Sequence, residues 1–367
     1  MNVRDLCNVL GQIAPLSLAA EWDNVGLLVG DPRAAVRKML LCIDLTEAVL
    51  AEALRVKAQM VMAYHPIIFK TITRVTADAA PVAYEAARHG LAVYSMHTAL
   101  DAAAGGTNDV LADVLGLHDR KPLDPAFDPA KCKIVVFLPA EDLPAVASAA
   151  FAAGAGVIGE YQGCSFLGHG VGTFCGSEHS HPAVGQARRH EAVEEVRLEM
   201  VAPKSRAAEV CRAVRSAHSY EEPAIDVYPL LDSPGGLGLG RVGRLAKPAS
   251  LETVLRRIKK ALSVPHVLLA GDGDHKTRRI GTAAVAAGSA GTLWKSAAAA
   301  GATLYLTGEM RHHDALAAAQ AGMSVVCVGH SHSERIALKH LAGRLIAARP
   351  GINVELAKSD RDPFTIV

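Results

Sequence analysis

The chain has 367 residues, a length that suggests about two or three domains. Its 38 lysines and arginines nearly balance 37 aspartates and glutamates, which leaves a net charge of +1 and excludes an overall field that recruits nucleic acid or a membrane. Seven scattered cysteines, none in a C-x-x-C pair, indicate reduced thiols in a cytoplasmic protein. The start, MNVRDLCNVLGQI, lacks a signal peptide's apolar core, and no apolar stretch is long enough to span a bilayer.

From the N-terminus onward, short apolar runs alternate with amphipathic stretches, which is the βαβ pattern. The strand-like runs are MLLCIDL from Met39, MVMA from Met60 and LAVYSM from Leu91. The helix-like stretches EAVLAEALRVKA and APVAYEAARHG lie between them. Because the second run carries no polar residue, we predict a strand buried on both faces within a parallel sheet.

The middle of the chain differs in texture from both ends. Residues 121–132 carry three prolines without any period and are interpreted as a linker, and the Pro/Gly-rich residues 230–240 as a second linker. Between the linkers, the runs KIVVFLP, EVRLEMVAP and AIDVYPL alternate with two helical stretches, and beyond them the βαβ pattern resumes. We therefore predict an α/β fold, in which one domain with mixed sheets is split into residues 1–125 and 236–367 by an α+β module at 126–235.

Histidines and carboxylates recur where strands are predicted to end. His65 follows the second strand, His97 and Asp101 follow the third, and His330 follows the run SVVCVG with Glu334 four residues further on. The carboxyl ends of parallel strands form the crevice where α/β proteins bind ligands, and a spacing of four places two side chains on one helical face. Imidazole with carboxylate suits zinc, manganese, iron or nickel. The structural alternative is that the last histidine caps its helix and the aspartate accepts backbone N–H groups.

Other polar residues near these positions have local interpretations. Asp23 and Asn24 are expected to organise a turn before a strand, with Trp22 serving as packing. After the glycine pair at 105–106, Thr107 or Asn108 is expected to cap a helix.

Five motifs, in their order and spacing, resemble those of the Nif-three-like dinuclear metal-centre proteins, also known as GTP cyclohydrolase I type 2 homologues. The motifs are EWDNVGLLVGD, YHPIIF, HTALDAAAGGTNDVLA, TGEMRHHDA and GHSHSE. The segments GTFCGSEHSHPAVGQ and HSYEEPAIDVYPL are similar to the module inserted in the longer members, which resembles PII and CutA-like proteins. The resemblance implies a toroidal homo-hexamer, a trimer of dimers, whose metal sites face inward.

The resemblance also implies a set of metal ligands. One ion would be held by His65, Asp101 and Glu334, and a second by His330, Glu334 and the residue before His65. That residue is usually histidine in the family, but here it is Tyr64. A neutral phenol is a poor ligand, and its ionisation at neutral pH works against a reference pKa of about 10, so ferric iron would be the exception. We expect about one or two divalent ions per chain, with the second site weakened or empty.

Two functional classes follow. The first is a metal-dependent hydrolase of a small polar substrate, in which the metal activates water and Asp101 or His97 moves protons. The family name implies opening of the GTP ring, although no run of residues here is typical of a guanine or triphosphate pocket. The second is a non-catalytic metal-binding or regulatory oligomer whose PII-like module senses a small ligand. Further histidines that could orient or replace ligands are His97, His312 and His332.

Overall fold

The computed structural model describes residues 1–126, 131–230, 235–271 and 277–365. The chain forms two compact units, one combining Met1–Ala126 with Pro234–Val367 and the other spanning Phe127–Ser233. Parts of both predicted linkers, residues 127–130 and 231–234, lie outside the described ranges. The predicted α/β fold class is confirmed, because helices and strands alternate along the first unit and its sheets are mixed.

The α-helices of the described ranges are, in chain order, α1 (Val3–Ile13), α2 (Glu47–Arg55), α3 (Pro81–Arg88), α4 (His97–Ala102), α5 (Thr107–Leu115), α6 (Leu143–Ala152), α7 (Ala207–Ala217), α8 (Leu251–Leu262), α9 (Leu293–Ala299), α10 (His312–Gln320) and α11 (His330–Ala348). In these ranges no helix combines the length and the apolar character that crossing a bilayer demands.

The strands of the same ranges are β1 (Gly26–Val29), β2 (Lys38–Cys42), β3 (Met60–Ala63), β4 (Ala92–Ser95), β5 (Leu117–Lys121), β6 (Asp124–Pro125), β7 (Lys131–Leu138), β8 (Ser165–Cys175), β9 (His190–Pro203), β10 (Ile225–Pro229), β11 (Gly238–Leu239), β12 (Arg241–Ser250), β13 (Leu268–Ala270), β14 (Arg279–Ser289), β15 (Leu304–Glu309), β16 (Ser324–Cys327) and β17 (Asn353–Leu356).

The first sheet of the first unit has the strand order β1-β4-β3-β2-β17. Its strands β17, β2, β3 and β4 run parallel, and β1 is antiparallel to β4. Alternate residues of β3 enter two different cores: Met60 and Met62 face α1 and α11, whereas Val61 and Ala63 face α2 and α3. All four residues are buried, which confirms the prediction of a strand covered on both faces.

The second sheet has the order β13-β16-β15-β14-β12-β5, with a parallel centre formed by β14, β15 and β16. Apolar residues of α5 and α8 cover one face, and residues of α9 and α10 cover the other. Helix α11 contacts β2 and β17 of the first sheet and β14 and β15 of the second. Helix α11 therefore packs against both sheets.

A buried ion pair joins α5 to β12 inside this unit. The side chain of Arg241 is only 2% exposed, and its Nε lies 2.7 Å from Oδ1 of Asp109. The same guanidinium donates to the carbonyl oxygens of Gly238 and Gly240 at 2.6 and 2.7 Å. The guanidinium N–H groups thus have a carboxylate and two carbonyl oxygens as acceptors, and such pairing allows an arginine to be buried.

The second unit is built on a four-stranded antiparallel sheet of order β10-β7-β9-β8. Helices α6 and α7 cover one face through Val146 and Val210, which pack on Ile134, Leu198 and neighbouring apolar residues. The opposite face carries polar and aromatic residues, because side chains alternate along each strand.

Candidate metal centre

Two distant chain segments meet beside the carboxyl end of β3. His65 follows this strand by two residues, and its backbone N–H donates to the carbonyl of Ile43 at 3.0 Å, which continues the parallel pairing with β2. His330 is the first residue of α11, as predicted, and Glu334 lies one turn along. Nε2 of His65 is 3.3 Å from Oε2 of Glu334, and Nε2 of His330 is 3.2 Å from Oε1. One potential ligand atom from each residue lies within 4.8 Å of the other two.

The other ring nitrogen of each imidazole is hydrogen-bonded to a second carboxylate. Nδ1 of His65 lies 2.9 Å from Oδ1 of Asp44, and Nδ1 of His330 lies 3.0 Å from Oε1 of Glu309. A carboxylate on Nδ1 keeps a proton there, so that Nε2 is the nitrogen that can offer a lone pair once its own proton has left, which is the arrangement that orients histidine ligands. Both Nε2 atoms lie beside Glu334 and are potential metal ligands.

Glu334 is the buried centre of this cluster. The residue is 2% exposed, and its Oε2 accepts no hydrogen bond of good geometry from any described residue, although His65 is near. The backbone of Gly288 packs closely against this carboxylate. Its φ is +63°, and a Cβ at this position would lie 2.6 Å from Oε1 of Glu334. A buried carboxylate with an unsatisfied oxygen between two imidazoles fits a divalent cation, which would supply the missing partner.

The protonation equilibria reflect the same surplus of negative charge. Although burial opposes the charged form, the hydrogen bond to Asp44 and the nearby carboxylate of Glu334 raise the pKa of His65 to about 10. Hydrogen bonding to Glu334 is the main cause that raises the pKa of His330 to about 9. Burial works against ionisation of Glu334, but the two histidines hold its pKa below the usual value. A metal ion would replace the protons that these imidazoles carry.

Tyr64 and Asp101 form a second pair beside this cluster. Tyr64 is fully buried; its hydroxyl donates to Oδ1 of Asp101 and lies 3.0 Å from Oγ1 of Thr107. Burial and the charge of Asp101 raise the pKa of Tyr64 well above its usual value, so the phenol is neutral. Burial, followed by the charge of Glu334, raises the pKa of Asp101 to about 6. Asp101 is thus bonded to a phenol and is not part of the three-residue group.

His97 lies against the cluster, with its ring centroid 5.3 Å from that of His65. Its φ of +27° is unusual for a residue with a side chain, and such backbone strain is characteristic of functional sites. Nδ1 of His97 is 2.8 Å from Oδ1 of Asp23, whose carboxylate is fully buried and also accepts the backbone N–H of Thr98 at 3.1 Å. Trp22, expected to serve as packing, is 63% exposed and not a core residue, and its ring meets those of Phe69 and His97 edge-on at centroid distances of 5.9 Å.

The expectation that Thr107 or Asn108 caps α5 is also wrong. Gly106 occupies the N-cap and provides no side-chain bond. Thr107 instead contacts the hydroxyl of Tyr64, while the Asn108 amide donates to the carbonyl of Asp101 at 3.0 Å and accepts the N–H of Ala287 at 2.9 Å. Both residues are buried, and their bonds hold Tyr64 and Asp101 in place.

The remaining candidate histidines lie outside the three-residue group. Nδ1 of His332 is 3.0 Å from Oδ2 of Asp362, and His312 is exposed with its ring 5.3 Å from that of His313. Sequence reasoning did not single out Asp44. It follows β2, the neighbour of β3, and the rule that parallel strands end at one edge could have identified it.

Fold and cluster together define an α/β protein with a candidate histidine–carboxylate metal centre at the carboxyl end of a parallel strand. The chain belongs to the Duf34/NIF3 (NGG1p interacting factor 3) family, whose model matches residues 1–363. The resemblance drawn from the motifs is therefore confirmed.

Individual relatives agree with this assignment. The chain is 34% identical over 374 residues to a "GTP cyclohydrolase 1 type 2 homolog" of Bacillus subtilis, a match that covers 100% of this chain and 99% of the relative. A protein of the same description from Mycobacterium tuberculosis is 38% identical over 342 residues, covering 91% of this chain and 89% of the relative. A solved Bacillus cereus protein related to NIF3 superimposes with a TM-score of 0.78 at 32% identity, covering 100% and 99% of the two chains.

Proposed function

We propose that this protein binds a divalent metal ion through His65, His330 and Glu334 and uses it to hydrolyse a small polar substrate. The observation that carries the proposal is the buried carboxylate of Glu334, which lies 3.3 Å from Nε2 of His65 and 3.2 Å from Nε2 of His330 and whose Oε2 accepts no hydrogen bond of good geometry from any described residue. This donor set suits zinc, manganese, iron or nickel. Such an ion would supply Lewis-acid activation of water and of a polarised carbon.

The residues around the centre have the properties that proton transfer requires. Asp23 holds Nδ1 of His97, which leaves Nε2 as the nitrogen that can accept a proton, and the His97 ring centroid lies 5.3 Å from that of His65. Asp101, with a pKa raised to about 6, carries or releases a proton near neutral pH. We assign His97 as the group that accepts a proton from the attacking water and Asp101 as the group that returns one to the leaving atom.

We further propose that each chain holds a single tight ion. The hydroxyl of Tyr64 donates to Asp101, and burial together with the charge of Asp101 raises the pKa of this phenol. An ion at the second position would have to break this bond and ionise a buried phenol, or find another ligand. The second site is therefore weakened or empty in this chain.

The experiment that tests metal binding is elemental analysis of protein purified without added metal. Glu334→Ala removes the central ligand, and we expect it to abolish bound metal, while His312→Ala at an exposed position leaves the metal content unchanged. Equal metal content in both variants would contradict the ligand assignment. Turnover is then tested on metal-loaded protein with nucleotides including GTP, phosphoesters and cyclic amides, because the relatives' description names GTP cyclohydrolase.

A non-catalytic role as a regulatory oligomer is the second candidate, and a cavity in the second unit favours it. Absence of turnover with every metal, together with stoichiometric binding of a small ligand to that unit, would support this role. The homo-hexamer, the PII/CutA-like character of the module and the cytoplasmic location stay predictions. Light scattering that gives a monomer at micromolar concentration would contradict the hexamer.

A further inference from the structure

The second unit contains a cavity of about 400 Å³ that is separate from the metal centre. Its floor lies on the sheet face opposite α6 and α7, where Phe137, Glu195 and Phe174 of three neighbouring strands share one side by register. Its walls come from the loop 176–184 and the segment 220–224. A volume of this size and an aromatic lining are typical of small-molecule sites.

The charged residues that line this cavity are acidic. Among the described residues, Glu195, Glu221 and Glu222 belong to the lining, and no lysine or arginine does. Glu221 accepts the backbone N–H of His181 at 3.2 Å, whereas Glu195 forms no salt bridge within the described part of the chain. Arg197, on the same sheet face, is paired with Glu199 at 2.8 Å, and its guanidinium carbon lies 5.5 Å from the ring centroid of Phe137.

The position of the Glu195 carboxylate depends on a glycine across the strand pair. A Cβ on Gly172 would clash with the Glu195 carboxylate, so the absence of a side chain there makes room for the charge at the cavity floor. Three glycines of β8, Gly168, Gly170 and Gly172, face this side of the sheet and leave the space above it open.

A second observation is the hydroxyl of Tyr220, which lies beside the Glu195 carboxylate. This oxygen is buried in the cavity lining and makes no hydrogen bond of good geometry with any described residue. Burial, followed by the interaction with Glu195, raises the pKa of Tyr220 to about 12, so the group is a neutral phenol whose oxygen can accept a hydrogen bond. A buried polar atom of this kind is satisfied when a ligand supplies a donor or an acceptor.

We propose that this cavity binds a small organic cation, an amine with an aromatic or apolar body. The ammonium group would donate to Glu195 and to the hydroxyl oxygen of Tyr220, and the body would pack between Phe137 and Phe174. This site does not depend on the metal centre, and a protein without bound metal retains it.

Three probes that share one ring test the proposal: benzylamine, benzyl alcohol and benzoate. Isothermal titration calorimetry with the full chain is expected to show binding of benzylamine at millimolar concentration or tighter, with at least about tenfold weaker binding of the neutral and anionic probes, because a buried charge pair governs recognition. Equal binding of the three probes, or no binding of benzylamine, would overturn the proposal.

A matched pair of variants locates the binding site. Glu194 and Glu195 are neighbours in β9, but Glu194 is exposed and opposes Val171 on the other face. We expect Glu195→Gln to weaken benzylamine binding at least about tenfold and Glu194→Gln to leave it unchanged. The same loss in both variants would show that the amine responds only to the general surface charge. Gly172→Ala gives an independent check, because it displaces the carboxylate without removing it, and unaltered affinity there contradicts the site.

Discussion

Replacement of Tyr64 by histidine tests why this chain differs from the dinuclear pattern. In the present structure the Tyr64 hydroxyl is bonded to Asp101 and Thr107 inside the core, and the phenol stays neutral. A histidine has a reference pKa of about 6.5, so much of it is neutral and able to bind a metal at pH 7. We expect Tyr64→His to release Asp101 and to raise bound metal from about one toward two ions per chain.

The energetic cost of this change follows from the bonds that it breaks. A hydrogen bond to a charged group contributes about 1.5–3 kcal/mol, so Tyr64→Phe, which keeps the ring but not the hydroxyl, should lower the free energy of unfolding by that amount. Tyr64→His also loses buried aromatic surface and should be at least as destabilised without metal. With free metal at 100 times the dissociation constant of the second site, binding of the second ion would raise the free energy of unfolding of this variant by about 2.7 kcal/mol.

The assay combines elemental analysis with urea unfolding in the presence and absence of zinc. Zinc should stabilise Tyr64→His more than it stabilises the unmodified protein, and Tyr64→Phe should hold no second ion. The reasoning is refuted if the unmodified protein already binds two ions per chain and Tyr64→His changes neither the number of bound ions nor the free energy of unfolding. In that case the phenol is itself a ligand or another residue has taken its place.

Three further predictions concern the surroundings of the site. Gly288→Ala should weaken zinc binding by displacing Glu334. The control is Gly322→Ala, where φ is +81° and no atom lies near the added Cβ, so that only backbone strain should lower the free energy of unfolding, by about 1–2 kcal/mol. Equal zinc affinities of the two variants by calorimetry would contradict this prediction. Because the pKa of His65 is raised to about 10, its proton stabilises the metal-free fold below about pH 6.5, and this stabilisation is lost as the pH rises toward 10. Zinc affinity should rise over the same range, and a constant affinity from pH 6 to 9 would oppose the assignment. Arg241→Ala should lower the free energy of unfolding by about 3–5 kcal/mol, measured by urea unfolding, since it removes the buried guanidinium that pairs with the partly buried Asp109 and donates to the carbonyls of Gly238 and Gly240.

The parts of the site that local patterns encode were predictable. The strand before His65 and the helix that begins at His330 both appear in the structure, because an apolar run and a spacing of four residues act over short distances. The roles of Asn108 and Gly288 were not predictable, since they depend on contacts between segments far apart in the chain. Threonine is a common helix N-cap, but the hydroxyl of Thr107 bonds to the buried hydroxyl of Tyr64 and does not cap the backbone of α5.

The order in which the ligands occur along the chain has a consequence for biosynthesis. His65 lies before the second unit, whereas His330 and Glu334 come after it on α11. A ribosome therefore synthesises the whole second unit before the last two ligands can reach the first. A product terminated before α11 would keep one imidazole of the three ligands and would not retain the ion. Metal content would then report whether α11 had been synthesised, and the ion would enter only after the second unit had been made.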